Sequence, residues 1–174
     1  AFEKNDINVP KKLIFKDMGK HKLNHIQEIL QDPHINDILN RKHIETPSQD
    51  FENQIFYDFN NIQKKNCGLM EVLPETYRAI NYLKNNNILT GCTTGFNYDN
   101  MILVKQKLNN EGILLDNYVS STCLKSPSRP DPSMIIDNMV KLNIPDPKNI
   151  IKIDDTLVGI EEGKNAGCWT VAVA

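Results

Sequence analysis

The sequence predicts an α/β protein, a doubly wound parallel sheet joined to a small α-helical cap, and three observations carry that prediction. Between Lys11 and Lys65 the apolar residues recur at three- and four-residue steps with no alternating stretch, which is the period of amphipathic helices. After Cys67-Gly68 short apolar runs alternate with helical stretches, the order that builds parallel strands with crossover helices. The residues that directly follow those runs are polar and charged, as at the carboxyl edge of such a sheet, where ligands bind. The 174 residues have room for one domain of ordinary size, or for a core with a small insert. The expected division is a helical cap over residues 1–66 and an α/β core over residues 67–174.

Leu23, Ile26 and Leu30, then Phe51, Ile55, Phe59 and Ile62, mark the apolar faces of the cap helices, and Phe51, Phe56 and Phe59 are expected in the cap core. Pro74, preorganised for a first helical turn, opens a helix that runs to about Leu83. Ile88 to Cys92 reads as the first strand and Tyr98 to Asn110 as the next helix. Asn117 to Ser121 is the second strand, Pro132 to Leu142 a helix and Asn149 to Ile153 the third strand. Leu157 to Asn165 and Cys168 to Val173 complete the alternation, with Trp169 expected to bury against the sheet.

Composition removes several function classes. Twenty Lys and Arg against 22 Asp and Glu leave a formal charge of -2, so no basic surface is available for general nucleic-acid or anionic-membrane binding. No apolar run approaches the roughly 20 residues of a membrane span, and no secretory signal pattern is present. Cys67, Cys92, Cys123 and Cys168 are widely spaced with no C-x-x-C pair, which reads as reduced thiols and a cytoplasmic location. His21 and His25 are four residues apart, but the Glu and third ligand of a zinc helix are missing. A chain starting at Ala1 and stopping just after a strand-like run reads as part of a longer protein.

Three polar groups fall at the expected strand ends. Thr93-Thr94-Gly95 follows the first strand, a loop with Lys125, Ser128 and Arg129 follows the second, and Asp154-Asp155-Thr156 follows the third. A hydroxyl beside a glycine, a fixed cation and paired carboxylates suit a phosphoryl group and a divalent cation, which takes hard oxygen ligands.

These segments resemble motifs of the haloacid dehalogenase superfamily, and within it the phosphonoacetaldehyde hydrolase family. Ile88 to Phe96 is similar to the second motif, Ser128-Arg129-Pro130-Asp131-Pro132 to the third, and Lys152 to Thr156 with Glu161 to Val171 to the fourth. Met18-Gly19-Lys20-His21-Lys22-Leu23-Asn24-His25 resembles the cap segment whose lysine forms a Schiff base with the substrate aldehyde. The resemblance implies Lys22 as that lysine, His25 and Arg129 as further catalytic groups, and Met18, Thr94 and Gly95 as substrate-binding residues. It also implies Mg²⁺ held by Asp155 with Asp154, and a small phosphonate or phosphate substrate. A homodimer is the expected assembly. Met18, Lys22 and His25, at i, i+4 and i+7, are expected on one helical face.

The match departs from the family pattern at three places. The first motif, an Asp-x-Ala-Gly-Thr type loop carrying the nucleophile, has no counterpart here, and its strand is expected between those ending at Cys92 and Ile153. Gly159 stands where an acidic residue is common, while Asp154 replaces a Gly and Phe96 a Tyr. The implied function is therefore Mg²⁺-dependent C–P cleavage by a parent hydrolase, with these residues alone inactive. The alternatives are a phosphate-monoester phosphatase and an inactive family member.

Overall fold

A computed structural model of the chain describes all residues except 45, 46, 125, 126, 128 and 174. After a 3₁₀ turn at Phe2–Asn5, the cap consists of α1 (Lys11–Lys16), α2 (Lys22–Leu30), α3 (Pro33–Arg41) and α4 (Gln49–Cys67). Local chemistry sets the helix starts. The Asp32 carboxylate accepts the His34 N–H ahead of Pro33, and Ser48 Oγ accepts the Phe51 N–H, each satisfying a donor that an open first turn would leave unpaired. Ile7, Ile26, Ile29, Leu30, Ile35, Leu39 and Ile55 are buried together, with Phe51, Phe56 and Phe59 packed around them. Truncating Leu30 or Leu39 to Ala in such a core costs about 2–5 kcal/mol.

The second half runs α5 (Pro74–Asn85), β1 (Gly91–Thr94), α6 (Tyr98–Asn110), β2 (Asn117–Ser120), α7 (Ser133–Lys141), β3 (Ile151–Asp154), α8 (Leu157–Asn165) and β4 (Trp169–Ala172). It is an α/β arrangement of parallel strands with surrounding helices, as the alternation predicts. β1 pairs with β2 in register Gly91↔Asn117, and β3 pairs with β4 in register Ile151↔Trp169. Among the described residues no strand ladder joins the two pairs. The first strand starts at Gly91 rather than Ile88, because Thr90 gives its N–H and hydroxyl to the Asp116 carboxylate and leaves Ile88 and Leu89 exposed. The third starts two residues later than predicted, since Asp146 caps a 3₁₀ turn over Pro147–Asn149.

Alternation of side chains divides β3 and β4 into two faces. α8 covers one of them so closely that a Cβ on Gly163 would meet Lys152 and Thr170 side chains at 2.8 Å. Ile151, Ile153, Trp169 and Val171 lie on the other and are exposed. Trp169 is thus not buried as predicted, and its Nε1–H donates to the Lys148 carbonyl. Among the described residues no helix is long and apolar enough to cross a membrane.

Candidate active site

Two glycines let the cap turn lie against the core. A Cβ on Gly95, just after β1, would stand 2.8 Å from the Gly19 carbonyl oxygen and 3.1 Å from that of Lys20. A Cβ on Gly19 would stand 2.7 Å from both Thr156 Oγ1 and Val158 Cγ2, and its φ of +99° lies where L side chains are strained. The turn between α1 and α2 is therefore seated on the ends of β1 and β3 by contacts that any larger residue would break. Met18 belongs to this turn and is exposed, so it does not share a helical face with Lys22 and His25 as expected. The left-handed glycine separates it from α2.

Lys22 is the first residue of α2 and is half-buried. Burial, and then the charge of Arg129, push its ammonium below the ordinary lysine value. His25, one turn on and buried, is pushed down by burial first and by Lys22 second. Among the described residues its Nε2 has no hydrogen-bond partner. Lys22 thus shares an electrostatic neighbourhood with His25 and Arg129 and gives up its proton more readily than an exposed lysine.

Arg129 is buried between β1 and α8. Its Nη2 donates to the Thr93 carbonyl at 2.9 Å and to Thr93 Oγ1 at 2.5 Å. Its Nε lies 2.8 Å from Glu162 Oε2 as an ionic contact, and Nη2 lies 3.4 Å from Asp154 Oδ2. Lys152 Nζ reaches Thr93 Oγ1 at 2.8 Å, Asp154 Oδ2 at 3.0 Å and Glu162 Oε2 at 3.3 Å. Two cations and two carboxylates balance here, which offsets the several kcal/mol that each buried ion costs. Lys125 and Ser128 lie outside the described residues.

Thr94 is placed differently from Thr93. Its Oγ1 accepts the Phe96 N–H at 3.2 Å and so shapes the turn after β1, while Thr93 faces the charged cluster. The two aspartates also part. Asp155 is exposed, whereas Asp154 Oδ1 accepts both the N–H and the hydroxyl of Thr156. Burial raises the Asp154 carboxyl, but the Thr156 hydrogen bond together with Lys152 and Arg129 outweighs it and leaves the group below the ordinary aspartate value. Mg²⁺ prefers near-octahedral oxygen ligands. With Asp154 committed to Thr156 and two cations, and no group of three His, Cys, Asp or Glu suited to a metal among the described residues, this donor set alone does not fit the ion.

Sequence reasoning placed Thr93 at a strand end but assigned the binding role to Thr94, and it missed Lys152 and Glu162. Their signals were present: Lys152 is a charge between Ile151 and Ile153 in a strand, and Glu162 lies one helical turn after Val158 on the buried face of α8.

The family profile described as haloacid dehalogenase-like hydrolase matches residues 2–167, and the chain belongs to that family. The phosphonoacetaldehyde hydrolase of Bacteroides fragilis is 30% identical to it over 99% of this chain and 66% of that protein. The bifunctional phosphonoacetaldehyde hydrolase/aminoethylphosphonate transaminase of Clostridioides difficile is also 30% identical, over 99% of this chain and 27% of its own length. The crystal structure of a phosphonoacetaldehyde hydrolase like protein from Oleispira antarctica superposes with a TM-score of 0.92 at 27% identity, covering 99% of this chain and 62% of the other. The chain spans about two thirds, or less, of the length of these curated relatives. Family membership carries the expectation of Mg²⁺ dependence and a small phosphorylated substrate.

Proposed function

We propose that these residues form the imine and phosphoryl-binding parts of a phosphonoacetaldehyde hydrolase. The observation that supports the reading is the seating of the Gly19 turn on Gly95 and Thr156, three residues before Lys22, together with the influence of the Arg129 charge on Lys22. A neutral Lys22 amine attacks the substrate aldehyde carbon, and loss of water gives an imine that is then protonated. The C–P bond breaks with its electron pair moving toward the imine carbon, which leaves an enamine, while the phosphoryl group passes to a carboxylate nucleophile. His25, whose imidazolium burial disfavours, lies one turn along α2 from Lys22 and moves a proton at the Lys22 nitrogen. Arg129 supplies fixed positive charge to the phosphoryl oxygens, and Met18, Thr94 and Gly95 shape the turns around the substrate.

The nucleophile is proposed to come from a further parallel strand between β1 and β3. Lys152 on β3 touches Thr93 on β1, yet each strand is paired on one edge only among the described residues. Were other ligands supplied by the further strand, Asp155 would lend one carboxylate to Mg²⁺, and Asp154 would join it only by giving up Lys152 and Arg129. A cytoplasmic location and a homodimer belong to the same proposal.

Borohydride reduction in the presence of phosphonoacetaldehyde is expected to leave a stable secondary amine on Lys22. An adduct elsewhere, or monoester hydrolysis by the longer protein that survives Lys22→Ala without any adduct, favours a plain phosphatase instead.

A further inference from the structure

We infer that Glu162 is the positioning residue of this site, holding Arg129 and Lys152 against the Thr93 end of β1; what Arg129 then binds rests on the phosphoryl reading above. Glu162 has no exposed surface at all, although it is a carboxylate on a helix face whose neighbouring turn offers apolar Val158. A purely structural position of this kind is better filled by an apolar side chain, because the carboxylate repays its desolvation only through well-placed partners.

Those partners are specific. Glu162 Oε2 accepts the Thr93 hydroxyl at 3.1 Å and lies 2.8 Å from Arg129 Nε and 3.3 Å from Lys152 Nζ. Asp154 cannot replace it, since Oδ1 is taken by Thr156 and Oδ2 approaches Arg129 at Nη2 rather than Nε. A guanidinium is planar, so the Nη2 hydrogen bonds to Thr93 and the ionic contact of Nε with Glu162, which is not aligned as a hydrogen bond, together orient the plane. Nη1 is then left without a hydrogen bond among the described residues. Thr93 completes the network by accepting from both cations while donating to Glu162.

The test compares binding of inorganic phosphate, by calorimetry, to the wild-type chain, Glu162→Gln and Glu162→Ala. Both substitutions remove one negative charge, but only Gln keeps an oxygen that can accept from Thr93 and lie beside Arg129 Nε. Positioning is expected to leave Glu162→Gln within about threefold of wild type and to weaken Glu162→Ala by about tenfold or more. A bulk electrostatic role makes both variants bind more tightly, and that result overturns the inference. Folding is monitored by thermal unfolding, and a second readout serves if Glu162→Ala does not fold. Of the three arginines, Arg41 and Arg78 are exposed, so the slowly exchanging Nε–H signal in a nitrogen-15 NMR spectrum belongs to Arg129. That signal is expected to shift in Glu162→Gln, and an unshifted signal overturns the inference. Absence of phosphate binding in the wild type overturns the phosphoryl reading, and the Arg129 signal then decides the role of Glu162 alone.

Discussion

The carboxylate of Asp154 fills the space that a side chain on Gly159 would enter: a methyl group added at position 159 would overlap it. The acidic Asp154 and the missing acid at Gly159 are thus one arrangement in which a single carboxylate over the first turn of α8 is carried by β3. Gly159→Asp alone is expected to lower stability by about 1–3 kcal/mol through overpacking and like-charge contact. The double variant with Asp154→Gly returns one carboxylate to that volume and is expected to recover most of the loss. Thermal unfolding of both singles and the double measures the coupling, and simple additivity contradicts it.

The seam between Gly19 and Gly95 makes a second prediction. Gly95→Ala places a methyl group against two cap carbonyls, so the turn carrying Met18 and leading to Lys22 must lift. The expected result is a loss of about 1–3 kcal/mol in stability together with reduced trapping at Lys22. Unchanged trapping with lowered stability separates the seam from the site.

Lys22 supplies a pH dependence. Burial, then Arg129, lowers its ammonium, so imine formation persists at lower pH than for an exposed lysine. Arg129→Met removes the cation and leaves Asp154 and Glu162 less compensated, and both changes favour a charged Lys22. The midpoint of trapping against pH is expected to move upward. An unmoved midpoint removes Arg129 from the control of Lys22.

Asp154 governs an acid limb. Its carboxyl is below the ordinary value in the folded chain, so its ion pairs add stability above the unfolded aspartate value, and that stability is lost as pH falls through the lowered folded value. Urea unfolding from pH 7 down to about pH 3 is expected to show a shallower acid limb for Asp154→Asn than for the wild type. Equal slopes contradict this.

Much of this was legible in sequence. Tyr98–Asn110 and Leu157–Asn165 match their helices because Asn97 and Thr156 cap them locally. The strands are displaced by up to three residues because tertiary bonds, such as that of Asp116 with Thr90, decide where the chain enters the sheet. The Arg129, Lys22 and His25 roles are expectations from the resemblance of their segments to family motifs. Thr93 and Glu162 had no such guide, since their roles exist only where β1 and α8 meet, 69 residues apart in sequence. Met18 was misplaced on the α2 face because helical spacing cannot register the left-handed Gly19.

The most direct measurement is peptide mapping of the borohydride-reduced adduct formed with phosphonoacetaldehyde on these 174 residues, with phosphorus content read from the adduct mass. The expected result is a single adduct on Lys22, still carrying phosphorus because the nucleophile is proposed to lie on a further strand, and its loss in Lys22→Ala. No adduct at Lys22 contradicts the imine site. A phosphorus-free ethyl group there contradicts the assignment of the nucleophile to another strand.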